Sequence, residues 1–389
     1  FKDNCREIIL HSIKDLEKLK SDKRIKEYQR IQNWFFLISL FLSPLSLFLI
    51  ITFPISTRIS EFSQFISSNY YIHLSIYITS LFIIGKLIIL PYVIYRNYYV
   101  EKKFNLSNET IFSFLKDQII GLVLSLLLSL LIVNVFYFLL NTFTDLWWLI
   151  LSFFLILFNS LIAWIYPILI MPIFNKFKKI EDESLIKIIK NLVDRCNVKI
   201  KDFLFIDMSK RTKKANAFFS GIGKSKRVVI GDTLFKDYSH DEIEIILAHE
   251  IGHYKKKHVL FGMIISSIVI AISLLICHIV LNKLILIFNF TSIKQIKAFP
   301  LVLLVLNIFY LFFSPFLNFI SRVFEKSADR FSIEITKDID AFERVFLKLA
   351  NQNLVDIDPP NWIKILKYSH PTIKERIEYA RAMLYSIKH

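Results

Sequence analysis

Six apolar stretches constrain this chain more than any other feature. They run at about 34–53, 72–95, 119–140, 146–170, 259–281 and 299–320. Each comes close to the roughly 20 residues with which a helix crosses about 30 Å of hydrocarbon. Hydrophobic residues make up 54% of the whole, well beyond the soluble norm, so an ordinary soluble enzyme is excluded. The predicted fold class is mainly α, a polytopic membrane protein built as a bundle of six transmembrane helices.

The polar remainder sets the other boundaries. Residues 1–33 read as a cytosolic amphipathic segment, with Ile8, Ile9, Ile13, Leu16 and Leu19 on one side and lysines elsewhere. They hold no apolar core of the kind a cleavable signal peptide needs. Four spans and their loops occupy 34–170, two more occupy 259–320, and 171–258 and 321–389 are polar. Within 171–258, helical LIKIIKNLVDRC gives way to strand-like FLFID at 203–207, NAFFS at 216–220 and RVVIG at 227–231, with Gly221 and Gly223 as turn punctuation. A small β-sheet is expected there.

The chain carries 49 Lys and Arg against 33 Asp and Glu, a net charge of +16. On so hydrophobic a chain this points to an anionic lipid bilayer as partner, not to nucleic acid. Basic residues crowd the N-terminal segment, the second loop (Arg96, Lys102, Lys103, Lys116) and both polar segments. The first loop has Arg58 alone, Asn141 to Asp145 has none, and the fifth loop has Lys283, Lys294 and Lys297. The positive-inside rule then puts the polar segments on the cytosolic side. A bacterial plasma membrane and an endoplasmic reticulum membrane both fit. Cys5, Cys196 and Cys277 are too scattered for a disulfide framework or a thiolate site, so any metal is held by His and carboxylate.

The chemistry is concentrated in SHDEIEIILAHEIGHYKKK, residues 239–257, which contains His249-Glu250-Ile251-Gly252-His253. Ser239 and Glu242 make a capping box, and acidic residues follow at the positive end of the helix dipole. On that helix the two histidines are about 400° apart, so both reach one metal ion from one face, with Glu250 on the flank as a base for water. Zinc hydrolases keep three protein ligands. Glu325, in FEKSADRF, supplies the third, and Asp329 one turn on is placed to accept from a ligand histidine's free N–H. His253 is six residues before Val259 and Glu325 five after Ile320. At 1.5 Å per residue both then lie about 8–9 Å from one membrane boundary if the helices continue unbroken. His258, nine positions from His249, falls about 180° round such a helix and reads as an interfacial residue. His278 reads as packed or pore-lining, and His370, before Pro371, either donates to an oxyanion or simply starts a helix.

These residues, in this order, resemble the type I CAAX prenyl endopeptidases, integral-membrane zinc metalloproteases. The likeness extends to PYVIYRNYYVEKKFNLSNETIFSFLKDQI at 91–119, IYPILIMPIFNKFKKIED at 165–182, ANAFFSGIGKSKRVVIGDTL at 215–234 and SHPTIKERI at 369–377. It implies a zincin-like catalytic domain with one zinc ion per chain on His249, His253 and Glu325, and Glu250 as general base. It also implies Asp329 behind the ligands, Asn216 and Ala217 on an edge strand that pairs with substrate backbone, and His370 and Arg376 near the scissile carbonyl. The implied substrates are peptides or proteins ending in CAAX with a prenylated Cys, which lose their last three residues. The family has seven membrane helices around a chamber, so a first helix is expected before Phe1 or is absent. Two rival readings stand beside this one. A broader membrane-protein quality-control metalloprotease shares the chemistry, whereas a membrane metal transporter or sensor leaves Glu250 without a task.

Overall fold

The computed structural model describes residues 15–220 and 227–387. Gly221, Gly223, Ile8, Ile9 and Ile13 lie outside the described residues. Six helices among them are long and apolar enough to cross a membrane. They are α1 (Lys23–Thr52), α3 (Tyr70–Ile94), α4 (Ile111–Thr142), α5 (Trp147–Ile165), α9 (His258–Ile287) and α10 (Phe299–Thr336), with a short α2 (Ile55–Ile66) between the first two spans. Each covers most of one of the predicted apolar runs. Their outward faces carry exposed Phe41, Leu87, Ile88, Phe153, Val259 and Phe312, the residues a bilayer covers. Inward, Leu74, Tyr77, Tyr137, Trp147, Cys277 and Leu301 form one continuous core. His278 belongs to this packing, accepting from Trp147 Nε1 at 3.1 Å.

Three differences from expectation position the site. First, α1 begins at Lys23, where Asp22 caps it by accepting from Arg24 and Ile25 N–H. Nothing breaks the helix between there and the apolar run, so the boundary predicted at residue 33 falls inside one continuous helix. Second, a π-helical turn, Tyr95–Val100, extends α3, and another, Tyr166–Ile170, extends α5. Third, the HExxH helix does not run on into the fifth span. α8 (His240–Lys255) ends, Lys257 turns left-handed at φ 56°, and α9 starts afresh at His258.

The polar segments form a second body around a four-stranded sheet of order β1-β2-β4-β3. The predicted strands appear as β2 (Asp202–Ile206), β3 (Ala217–Ser220) and β4 (Arg227–Gly231), while β1 (Phe177–Lys179) was not legible. Its Phe-Lys-Lys is too short and too basic to carry an alternating signal, and it exists because β2 offers an edge to pair with. β2 and β4 are parallel, β3 is antiparallel to β4, and β3 is left at the edge. Helix α6 (Glu183–Arg195) covers the sheet and α7 (Asp232–Asp237) leads from β4 toward α8. Leu185, Ile189, Val228, Ile230, Ile243, Leu247 and Ile251 share the core between them. Helices α11 (Ile339–Gln352), α12 (Asn361–Lys367) and α13 (Ile373–Ile387) complete this body.

Candidate active site

α8 starts on the predicted capping box, in which Ser239 and Glu242 satisfy each other's backbone N–H groups. Glu242 is 1% exposed and is held by Lys348 Nζ at 2.6 Å, which ties the first turn of α8 to α11. Farther along, α8 lies against α10. Gly252 permits the approach: a Cβ there would stand 3.1 Å from Ala328 Cα and 3.2 Å from Phe331 Cβ. Ser332 Oγ donates to the Ile245 carbonyl at 3.0 Å, holding the two helices in register.

This register brings the ligands together. His249 Nε2 is 3.2 Å from Glu325 Oε2, His253 Nε2 is 3.3 Å from Glu325 Oε1, and the two Nε2 atoms are 3.1 Å apart. Atoms bound tetrahedrally about 2.0–2.1 Å from one ion stand about 3.3–3.4 Å from each other. The triangle is therefore the size that one metal ion needs. The donor set agrees, because Glu325 Oε2 is buried with no hydrogen-bond partner, a lone pair that a cation would satisfy. His249, His253 and Glu325 make up the metal-binding group among the described residues.

The remaining ring nitrogens are also engaged. His249 Nδ1 lies 2.9 Å from Asp329 Oδ1, which leaves Nε2 turned toward Glu325 and His253, where it would hold a metal. Asp329 is 1% exposed. Arg376 donates to it from one edge, Nε to Oδ2 at 2.8 Å and Nη2 to Oδ1, while its guanidinium lies 3.9 Å over the Phe346 ring. Burial opposes charge on His249, but the adjacent Asp329 and Glu325 carboxylates outweigh it and raise its pKa to about 9. Burial likewise lifts the Glu250 carboxyl above its ordinary range, with the neighbouring histidines opposing.

His258 is not where the unbroken-helix reading puts it. The left-handed turn at Lys257 swings it back, so its Nδ1 lies 3.1 Å from His253 Nδ1 and its ring stacks 4.6 Å from Phe324. It is 7% exposed, not interfacial. The signal that would have found it is three consecutive lysines, poor material for a buried continuous helix.

A cavity of about 620 Å³ opens onto the ligands, lined among others by Asn216, Ala217, Glu250, His370 and Arg376. Asn216 stands just before β3, and its carbonyl accepts from Gly231 N–H at 2.8 Å. Alternation along an antiparallel pair then turns the Ala217 N–H and C=O away from β4, toward the cavity. His370, at the entry to α13, has its Nε2 3.2 Å from Glu325 Oε1 and a side chain 57% exposed.

A metal centre on two packed helices, set at the end of a six-span bundle and beside a free strand edge, defines the class as an integral-membrane metalloendopeptidase. The family model for peptidase family M48 matches residues 179–384, and that for the CAAX prenyl protease N-terminal region, described as five membrane helices, matches residues 9–176. The chain belongs to peptidase family M48. It is 30% identical over 359 residues to the uncharacterized metalloprotease YhfN of Bacillus subtilis, covering 91% of this chain and 84% of that one. It is 31% identical over 332 residues to CAAX prenyl protease 1 of Saccharomyces cerevisiae, covering 76% and 69%. The crystal structure of S. mikatae Ste24p matches with a TM-score of 0.80 at 25% identity, over 97% of this chain and 96% of that one. These relatives are metalloproteases, and they do not favour a transporter or sensor.

Proposed function

We propose that the protein is a zinc endopeptidase that cuts extended peptides near their C terminus, its substrates being CAAX-type chains carrying a prenyl group, with the catalytic body on the cytosolic side of the membrane. The observation that carries this reading is the His249, His253 and Glu325 triangle beside the outward-facing backbone of Ala217. A His, His, carboxylate set suits zinc with one position left open. The lysine-rich segments support the cytosolic assignment. The names of the yeast and other relatives support the CAAX substrate class, and exposed apolar helices around the site suit a lipid tail that partitions into the bilayer.

The bound metal would supply Lewis-acid polarisation of the scissile carbonyl and lower the pKa of the attacking water. The rest falls to the chain's own groups. Ala217 pairs with substrate backbone by strand addition, which holds the peptide extended without demanding particular side chains. Glu250 takes the proton from the water and returns it to the leaving amine. His370, half exposed into the cavity, donates toward the oxygen on which charge develops. Asp329 fixes the His249 tautomer, and Arg376 acts through Asp329, which its Nε and Nη2 clamp in a bidentate pair.

One experiment addresses both chemistry and substrate: mass spectrometry of products from prenylated and unprenylated forms of one CAAX peptide, with the wild type and Glu250→Gln. The expected result is a released tripeptide, faster from the prenylated form, and loss of cleavage by at least about 100-fold in E250Q with the metal retained stoichiometrically. Wild-type turnover by E250Q would overturn the assignment of the base. Equal cleavage of both peptides would overturn the lipid requirement.

A further inference from the structure

The cavity wall holds one cation with no ion-pair partner among the described residues. Lys367 lines the cavity and its Nζ donates to Asn33 Oδ1 at 2.7 Å. Arg96, on the π-helical turn that extends α3, reaches Gln32 Oε1 through Nε at 3.3 Å and lies over the Phe35 ring. Among the described residues neither cation forms an ion pair. Neighbouring cations do find partners: Lys214 pairs with Glu101 at 2.8 Å, Lys364 pairs with Glu375, and Arg322 donates to the Lys364 and Tyr368 carbonyls. Burial and the charge of Arg96 pull Lys367 down to about 8, with the charge of Asp356 opposing. A half-buried cation of this kind is stabilised by an anion that arrives with a ligand.

The chain also sets a distance. Lys367 precedes His370 by three residues, and His370 Nε2 touches Glu325 at 3.2 Å. Three residues reach at most about 10–11 Å, and a tripeptide laid out as a strand covers about 10 Å. Lys367 lines the same cavity as His249, Glu250 and Glu325, so a peptide with its scissile bond at those residues continues through a cavity in whose wall Lys367 stands.

We propose that Lys367 receives the free C-terminal carboxylate of the peptide and thereby sets how far from the C terminus the cut falls. This rests on the peptidase reading above and deepens it, making the chain end itself part of what is recognised. Lys367 binds the carboxylate and takes no part in bond breaking.

The test compares one peptide as the free acid and as the C-terminal amide, identical in every side chain, so that an acidic side chain cannot stand in for the terminus. The wild type is expected to prefer the free acid by about tenfold or more in kcat/KM, the scale of one charge-assisted hydrogen bond. That ratio should fall toward one in Lys367→Met and persist in Lys367→Arg. Equal wild-type rates on acid and amide would overturn the anchor while leaving the peptidase standing, and so would a preference undiminished in K367M. Cleavage of neither form by metal-loaded wild type would overturn the peptidase reading itself.

Discussion

His253 spends both ring nitrogens at this site: Nε2 faces Glu325 at 3.3 Å and Nδ1 faces His258 Nδ1 at 3.1 Å. An imidazole that gives Nε2 to a metal carries its proton on Nδ1, so His258 must accept there and keep its own proton on Nε2. His249 is oriented in the same way by Asp329, with a carboxylate in place of an imidazole. Partners of this kind typically change metal affinity about 10–100-fold. His258→Phe preserves the stacking on Phe324 and removes the acceptor. It is expected to weaken metal binding about tenfold in competition with a chelator, and unchanged affinity would reduce His258 to packing. The HExxH residues were legible in sequence because residue type and helical spacing are local. Glu325 was reached by comparing depths in two segments, on an unbroken helix that the left-handed turn at Lys257 interrupts. His258 was not legible, since its direction depends on the backbone angle of Lys257 alone.

Helices α8 and α10 carry all three ligands, and their separation is set where Gly252 faces Ala328. A methyl group at 252 would stand 3.1 Å from a backbone carbon of α10, which a side-chain rotation cannot relieve. Gly252→Ala is expected to cost about 1–3 kcal/mol through overpacking, read as a lower thermal midpoint, and to lower the metal content of the purified protein as the triangle widens. A variant with wild-type midpoint and full metal would show that the helices have room to spare. The predicted capping box of α8 appears in place because Ser239 and Glu242 are three residues apart. Its burial under Lys348 of α11 could not be read, because that contact joins residues 106 positions apart. The edge status of β3 was expected only through resemblance. Edge or centre is a property of the whole sheet, which includes the unanticipated β1.

Across the whole molecule the metal site joins parts that are distant in the chain: α8 from one polar segment, α10 rising out of the last span, and α13 through Arg376 and Asp329. A ligand that binds only the folded arrangement stabilises it by mass action. Removing the metal with a chelator in detergent is therefore expected to abolish peptide cleavage and to lower the thermal midpoint of unfolding, with both restored by added zinc. Cleavage that survives complete removal, confirmed by metal analysis, would overturn the metallopeptidase mechanism. The sequence by itself determined the six spans, the HExxH face and the helix cap, because each rests on hydropathy or spacing within one segment. The tertiary structure decided how those pieces meet. It decided the break that returns His258 to His253, the commitment of Arg376 to Asp329, the cavity beside Ala217 and the unpaired charge of Lys367, because each depends on contacts between residues far apart in the chain.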